Sequence, residues 1–372
     1  MKTKITHLTS AHPRYDTRIF IKMCSSLAAN KNYEVSLVVA DDKGDEVKND
    51  VKIFDVCKKN GRLNRILKTT KNVYKKALEL NSDIYHIHDP ELIFIGLKLK
   101  KLGKKVIFDV HENVSLQILD KVYIHKMLRK LISKIYRMYE VKSLKNFDVL
   151  VLAEYSYESY YKELNNKIEI ILNMPDLQPL EQFVSKERDK NEIFYIGGIS
   201  NDRGFKVTVE ALKLLKSRST DFFMHFIGPY SKDLIDSINF DKIENNIKLY
   251  GRMPLYEGLE YSKKAKVGLS ILKPIGNYKS SYSTKVFEYM ALELPVVTSN
   301  FKLYKDVVEK YNCGICVDPL NPKEIADAIE YIMTHPIEAK IMGENGKKAV
   351  IEKYNWKLEE AKLFKVYEEL IK

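Results

Sequence analysis

The chain has 372 residues, 45% of them hydrophobic and 30% charged, which fits a globular protein with two cores of moderate size. No apolar run reaches the roughly eighteen residues of a membrane-spanning helix. The first residues also lack the apolar block and small-residue cleavage site of a signal peptide, so a cytoplasmic protein is expected. The formal net charge of +12 needs an explanation, but no zinc finger, helix-turn-helix or RNP-type aromatic pattern accompanies it, so nucleic acid is not the expected partner.

In chain order, short apolar runs alternate with helical patterns, the mark of a parallel sheet covered on both faces. Strands are predicted at Ile5–Leu8, Glu34–Val39, Ile84–His88, Lys105–Asp109, Val149–Leu152 and Glu169–Leu172, with helices at Thr17–Ala29, Leu63–Leu80 and Leu92–Leu102. Lys121–Lys145 holds Lys126, Arg129, Lys130, Lys134, Arg137, Lys142 and Lys145 against Glu140, with Leu128, Leu131, Ile132, Ile135, Met138 and Tyr139 recurring among them at helical spacing. That pattern is a basic amphipathic helix. The expectation is an apolar stripe packed on its own domain with lysines turned to an anionic membrane surface, each contributing about 1 kcal/mol at most.

From Pro175 to Asn191 prolines and charges replace the periodicity, and residues 176–190 read as a linker. The alternation restarts with strands at Glu192–Ile196, Phe222–Ile227, Ile247–Tyr250, Val267–Leu272, Pro295–Thr298 and Gly314–Val317. Helices are predicted at Phe205–Lys216, Leu255–Lys264, Ser283–Ala291, Tyr304–Lys310 and Pro322–Thr334, and a last one at Lys357–Ile371. The fold class is α/β: two Rossmann-like parallel-sheet domains, residues 1–175 and 191–354, with a ligand cleft between them. Residues 355–372 form a terminal helix trailing both. Of the four cysteines, Cys313 and Cys316 make a C-x-x-C pair. Zinc would need two more ligands at matching spacing, and none exists, so buried structural thiols are expected and no metal.

Four polar stretches carry candidate chemistry. Ser283 or Thr284 can cap a helix whose free N–H groups form an anion site, Lys285 adds a point charge for phosphate, and Glu288 one turn on can accept hydrogen bonds from a vicinal diol. Gly197-Gly198 leaves a strand toward Arg203, whose fork matches phosphate oxygens. Asp109-Val110-His111-Glu112 and His86-x-His88 end neighbouring strands with polar groups on one rim. The loop His12-Pro13-Arg14-Tyr15-Asp16-Thr17-Arg18 lies between the first strand and its helix. Each stretch also has a purely structural reading: an amphipathic helix, a bare turn, a hydrogen-bonded histidine.

Taken together and in this order, these pieces resemble the family 4 retaining glycosyltransferases of the GT-B fold, in particular the bacterial branch serving capsule, O-antigen and exopolysaccharide assembly. The resemblance spans nearly the whole chain, from the His12-Pro13-Arg14 loop to Tyr354-Asn355-Trp356. It implies two domains facing across a cleft, with the terminal helix crossing back to the first. By position, Arg203 would hold a donor diphosphate, assisted by Lys285 and the amides of Tyr282, Ser283 and Thr284, with Gly198 at the approach. Glu288 would bind the ribose, and Gly251, Arg252 and Met253 would line the nucleobase. His111 would touch the donor sugar near the reacting carbon. Asp16, Thr17 and Arg18, with His88 and Glu112, would face the pyrophosphate or the acceptor.

Two departures stand out. The family's first motif glutamate falls here on Ser280, and its usual arginine before the phosphate loop is replaced by Gly198. The implied activity is metal-independent transfer of a sugar, most often from UDP, to a glycan or lipid-linked oligosaccharide acceptor, with no cofactor. No Asp-x-Asp tripeptide is present to hold a metal, and Arg203, Lys285 and a helix start can supply the positive potential instead. Retention, with the leaving phosphate taking the acceptor proton, follows from the resemblance alone. A sugar-nucleotide epimerase, which needs no acceptor, and a non-catalytic sugar-binding subunit of a polymer-assembly complex are the alternative readings.

Overall fold

The computed structural model describes residues 2–58, 61–121, 125–164, 167–188 and 190–372, with only the backbone of residues 62 and 120. The chain divides into two compact units. The first runs to Asn173 and takes in Lys357–Lys372, and the second is Met174–Trp356.

In the first unit the strands are β1 (Thr3–Leu8), β2 (Tyr33–Val39), β3 (Glu46–Lys48), β4 (Val51–Asp55), β5 (Ile84–Ile87), β6 (Lys105–Val110), β7 (Val149–Leu152) and β8 (Ile168–Ile170). They form one sheet in the order β3-β4-β2-β1-β5-β6-β7-β8, parallel throughout except for β3 against β4. Strands covered on both faces need apolar residues at every position, and all four residues of β7, Val-Leu-Val-Leu, are buried. β1 and β5 depart from this. Their register sets His7 beside His86, and both rings are fully buried.

The second unit has β9 (Glu192–Ile196), β10 (Phe223–Ile227), β11 (Ile247–Gly251), β12 (Ala265–Ser270), β13 (Val296–Ser299) and β14 (Gly314–Val317). They form a six-stranded sheet in the order β11-β10-β9-β12-β13-β14. Strand order reverses beside β1 in the first sheet and beside β9 in the second, so a crevice opens beyond the carboxyl ends of β1 and β5 and another beyond β9 and β12.

Several predicted elements change on folding. Thr17–Ala29 is a π-helical stretch, Thr17–Cys24, that continues as an α-helix, Ser25–Ala29. Within Lys121–Lys145 the helix is Lys126–Leu144, and a separate helix, Val114–Asp120, precedes the segment, while residues 122–124 of that segment lie outside the described residues. The apolar stripe of Lys126–Leu144 does not pack inward as expected: Met127 is 75% exposed, Leu131 54% and Met138 64%. Its buried residues are Glu140, Ser143 and Leu144, and Glu140 is satisfied by the hydroxyl of Tyr161 at 3.0 Å and by Arg137 at 3.2 Å.

Residues 176–190, expected as a linker, are built into the second unit. A 3-10 turn, Gln178–Phe183, buries Leu180 and Phe183. The Arg188 guanidinium then donates to the carbonyls of Ser262, Ala265 and Leu292 at 2.6, 2.6 and 2.7 Å. The seventeen-residue helix Pro336–Glu352 was not expected. It lies against the helix Thr284–Ala291 through glycines: a Cβ on Gly343 would fall 2.3 Å from the Glu293 carbonyl oxygen, and one on Gly346 would be 3.3 Å from Met290. The terminal helix Trp356–Ile371 packs in the first unit through Leu363, Val366, Tyr367 and Leu370, and Glu359 accepts the Leu172 N–H at 2.8 Å. All four cysteines are free thiols. Burial pushes Cys313 and Cys316 up to about 12.

Candidate functional site

In the second unit, three loops leave the carboxyl ends of β9, β10 and β11 and are tied edge to edge. The Gly197 N–H donates to Ile227 O at 2.8 Å, and the Gly228 N–H donates to Gly251 O at 2.9 Å. Gly197, Gly228 and Gly251 have φ of +135°, +140° and +72°. At Gly228 the absence of a side chain is obligatory, because a Cβ would sit 1.9 Å from the Gly197 carbonyl oxygen.

This glycine floor faces two cations. A Cβ at Gly197 would be 3.3 Å from Lys285 Nζ and 3.7 Å from Arg203 Nη1, and one at Gly198 would also be 3.7 Å from Arg203 Nη1. Lys285 stands over the Tyr195 ring at 5.3 Å, and the Tyr195 hydroxyl donates to Gly198 O at 2.6 Å. Arg203 lies within hydrogen-bonding reach of the Tyr195 and Tyr278 hydroxyls. Burial and the like charge of Arg203 bring the Lys285 ammonium down to about 8, and Glu288 offsets part of this. A buried lysine and a half-buried arginine on a glycine floor are arranged to receive an anion.

Thr284, Lys285 and Glu288 lie on the helix Thr284–Ala291, and Ser283 takes the cap position without capping it by its side chain. The Ser283 hydroxyl instead accepts from Ser270 at 3.1 Å. The first turn therefore has no side-chain cap to compete with a bound anion. Tyr282 packs edge-on against Phe287. Gly251 ends β11, and Arg252 and Met253 follow it, Arg252 exposed and Met253 half-buried. Sequence reasoning singled out Gly197 but missed Gly228, Tyr195 and Tyr278. For Gly228 the available signal was a glycine directly after an apolar strand, β10.

In the first unit the structure gathers His7, His86, His88, Asp109, His111 and Arg18. Arg18 grips Asp109 with two hydrogen bonds of 2.9 Å and donates to Ile171 O at 2.7 Å. Asp109 Oδ2 also lies 3.3 Å from His88 Nδ1 and 3.2 Å from His111 Nε2. Against the cost of burial, Arg18 and the two histidines hold the Asp109 carboxyl well below the usual range. Burial lowers His88 to about 3, and lowers His7 and His86 as well, so these three rings are neutral.

Three side chains expected to face a ligand make contacts within the protein, and two of them, Arg18 and His88, are buried. Arg18 is neutralised by Asp109, His88 is fully buried, and Asp16 caps its helix by accepting the N–H groups of Arg18 and Ile19 at 2.9 Å. Thr17 and Glu112 are exposed, the latter accepting from Gln117. His111 is half-buried and faces a cavity of about 1370 Å³ within this unit. His12 shares that wall and binds Asp89 at 2.8 Å. The same cavity is also lined by Leu67, Leu78, Phe94 and Ile132 and by Lys71, Lys75 and Lys98.

Among the described residues, His7, His86 and His88 form one group with metal-ligand spacing, and His88, Asp109 and His111 another. In the first group the rings lie 4.6–5.1 Å apart at interplanar angles of 15–36°. Their nitrogens are largely committed: His7 Nδ1 and His88 Nε2 hydrogen-bond each other at 2.9 Å, and the Tyr367 hydroxyl engages His86 Nδ1 and His7 Nε2. In the second group, Asp109 is already committed to Arg18.

Two family models match the chain, one described as glycosyl transferases group 1 over residues 177–349 and one as Glycosyltransferase Family 4 over residues 18–178. A capsular polysaccharide biosynthesis glycosyltransferase, CapM of Staphylococcus aureus, is 22% identical over 209 residues, covering 56% of this chain and 51% of its own. The chain spans about half the length of the first curated relatives it matches. Among solved structures, sucrose-phosphate synthase from Thermosynechococcus elongatus superposes with a TM-score of 0.76 at 15% identity, covering 100% of this chain and 99% of its own. Anabaena HepE in complex with UDP and glucose superposes with a TM-score of 0.73 at 12% identity, covering 99% and 100%. At these identities the structural likeness speaks for the fold.

Proposed function

Since the chain belongs to the family 4 glycosyltransferases, we propose that it moves a sugar, with retention and without a metal, from a UDP-sugar to a lipid-linked glycan acceptor in cell-surface polysaccharide synthesis at the cytoplasmic face of the membrane. The observation that carries this reading is the pair Lys285 and Arg203 on the glycine floor Gly197-Gly198, beside the start of the helix Thr284–Ala291.

Breaking the bond between the sugar's C1 and the phosphate oxygen sends an electron pair onto the nucleoside diphosphate. Arg203 and Lys285 are already fixed where that charge develops, which is the arrangement that lowers such a barrier most. Glu288 accepts the ribose hydroxyls, and Gly251, Arg252 and Met253 line the base. The acceptor oxygen bonds to C1 on the face the phosphate leaves, and its proton passes to a departing phosphate oxygen. Anabaena HepE, solved with UDP-glucose, supports the choice of UDP.

The lipid-linked acceptor is supported by the mixture of apolar and lysine side chains that line the cavity, and by the exposed apolar residues of Lys126–Leu144, which sit among lysines. Among the described residues no helix is long and apolar enough to cross a membrane, so attachment would be peripheral.

The test is thermal stabilisation by UDP-, GDP- and ADP-sugars, followed by transfer assays with and without EDTA and NMR assignment of the product anomer. Arg203→Ala and Glu288→Ala should each lower transfer about a hundredfold. Indifference to all activated sugars, a strict need for manganese or magnesium, or full activity in both variants would remove the proposal.

A further inference from the structure

The helix Thr284–Ala291, which carries Lys285 and Glu288, runs back along β12 and is joined to it at three levels. At the start of the helix the Ser270 hydroxyl donates to that of Ser283 at 3.1 Å. Midway, Tyr289 lies against Gly268, where a Cβ would fall 2.5 Å from the tyrosine ring. At the far end Arg188 ties the two elements together. Its Nη1 donates to the carbonyls of Ser262 and of Ala265, the first residue of β12, both at 2.6 Å. Its Nη2 donates to the carbonyl of Leu292, which closes the helix, at 2.7 Å.

Among the described residues the hydrogen bonds of Arg188 all go to carbonyls. Burial lowers its guanidinium to about 10, against the pull of Glu293. Lys347 acts one residue earlier: its ammonium donates to Ala291 O at 3.1 Å and pairs with Glu181 at 2.5 Å. Two cations therefore sit on the last carbonyls of the helix, where unsatisfied lone pairs and the helix dipole favour positive charge. Both belong to, or are held by, the stretch Gln178–Arg188 near the beginning of the second unit. That stretch grips the closing end of the helix whose opening turn stands beside the glycine floor.

The other ties are weaker against sliding along the strand. The serine pair is one hydrogen bond, and so is the contact of the Tyr289 hydroxyl with the Ile196 N–H at 3.2 Å. Gly268 offers Tyr289 no side chain to lodge against. Arg188, with three charge-assisted bonds, supplies the largest polar hold. A slide by one residue's rise, about 1.5 Å, would shift Lys285 from its place over Gly197. We propose that Arg188 is a positioning residue of the donor site, fixing this helix along β12 so that Lys285 and Glu288 meet the nucleoside diphosphate. The inference rests on the reading of the glycine floor as the diphosphate site. Such coupling is reciprocal: a ligand that needs the helix in place also strengthens the grip of Gln178–Arg188 upon it.

The experiment measures UDP binding to the full-length protein by calorimetry, at a temperature where each variant is folded, together with amide hydrogen exchange with and without UDP. Arg188→Gln should raise the UDP Kd about tenfold, within the usual range of coupling between separate groups. Arg188→Lys keeps the charge but not the fork and should fall between, and Lys347→Met should raise Kd about threefold. Arg218→Gln is the control for plain destabilisation: Arg218 lies in the same unit and donates to Asp327 and Glu330, and its loss should leave Kd within about twofold. In wild type, UDP should slow exchange at Leu180, Glu181 and Val184, whose N–H groups close the 3-10 turn, more than in the helix Pro322–Thr334. That extra protection should vanish in Arg188→Gln. An unchanged Kd in Arg188→Gln, an equal rise in Arg218→Gln, or no extra protection in wild type would each overturn the proposal. If Arg188→Gln does not fold, Arg188→Lys, Lys347→Met and the wild-type exchange decide it. Wild-type protein that binds none of UDP, GDP and ADP would remove the donor-site reading and the inference with it, whereas tight UDP binding that no Arg188 variant alters removes the inference alone.

Discussion

Lys285 is the residue on which pH should act most visibly. Its ammonium titrates at about 8 in the donor-free protein because it is buried and shares its site with Arg203. An unfolded chain holds the lysine proton to a higher pH, so between the two values the unfolded state binds more protons and this group makes folding more favourable as pH rises. Anion binding works in the opposite direction, since a diphosphate needs the proton present. The thermal stabilisation given by UDP should therefore shrink as pH rises from about 7 to about 9.5, across the Lys285 titration. A shift equal at both ends would take Lys285 out of the site. For Asp109, removing the charge strands the buried Arg18 guanidinium. Asp109→Asn should cost about 3–5 kcal/mol of unfolding free energy, read by urea denaturation, with loss of the histidine arrangement beside it. The sequence displayed both Asp109 and Arg18, but their pairing joins positions far apart along the chain, and no local pattern announces it.

At the scale of elements, the site depends on close approaches that only glycine allows. In Gly228→Ala the new Cβ would meet the Gly197 carbonyl, forcing the β9 and β10 loops apart. We expect a loss of about 1–3 kcal/mol in stability and weaker UDP binding by calorimetry; unchanged binding would mean that the glycine floor is not part of the donor site. The helix Pro336–Glu352 escaped sequence analysis for a related reason. Gly343 and Gly346 interrupt the apolar periodicity that marks a helix, yet they let it lie against the backbone near Glu293 and Met290. β3 and β4 were missed because β3 is a three-residue edge strand and β4 fully buries only Val51 and Ile53, so neither shows a continuous apolar run. The strands β1, β2, β5, β6 and β7 were legible because burial on both faces demands continuous apolar runs.

For the whole molecule, the first unit is completed by the last residues of the chain, whereas the second is one continuous stretch. Truncation after Trp356 should lower the melting temperature of the first unit, which loses Leu363 and Tyr367 from its core, and leave UDP stabilisation of the second intact. Differential scanning calorimetry would separate the two effects. The exposed stripe of Lys126–Leu144 predicts co-sedimentation with vesicles rich in anionic lipid, weakening with added salt and further in Leu131→Ser/Ile135→Ser. Equal recovery with neutral vesicles would remove the membrane assignment.

The sequence by itself determined the two parallel α/β repeats and the residue types for a phosphate site, because burial periodicity, helix starts and glycine turns are written in neighbouring residues. Tertiary structure alone decided that Arg18 and His88 turn inward, that the stripe of Lys126–Leu144 faces outward, and that Tyr367 reaches His7 and His86. Those outcomes depend on which distant groups share a desolvated space, and desolvation belongs to the folded arrangement, not to any stretch of chain.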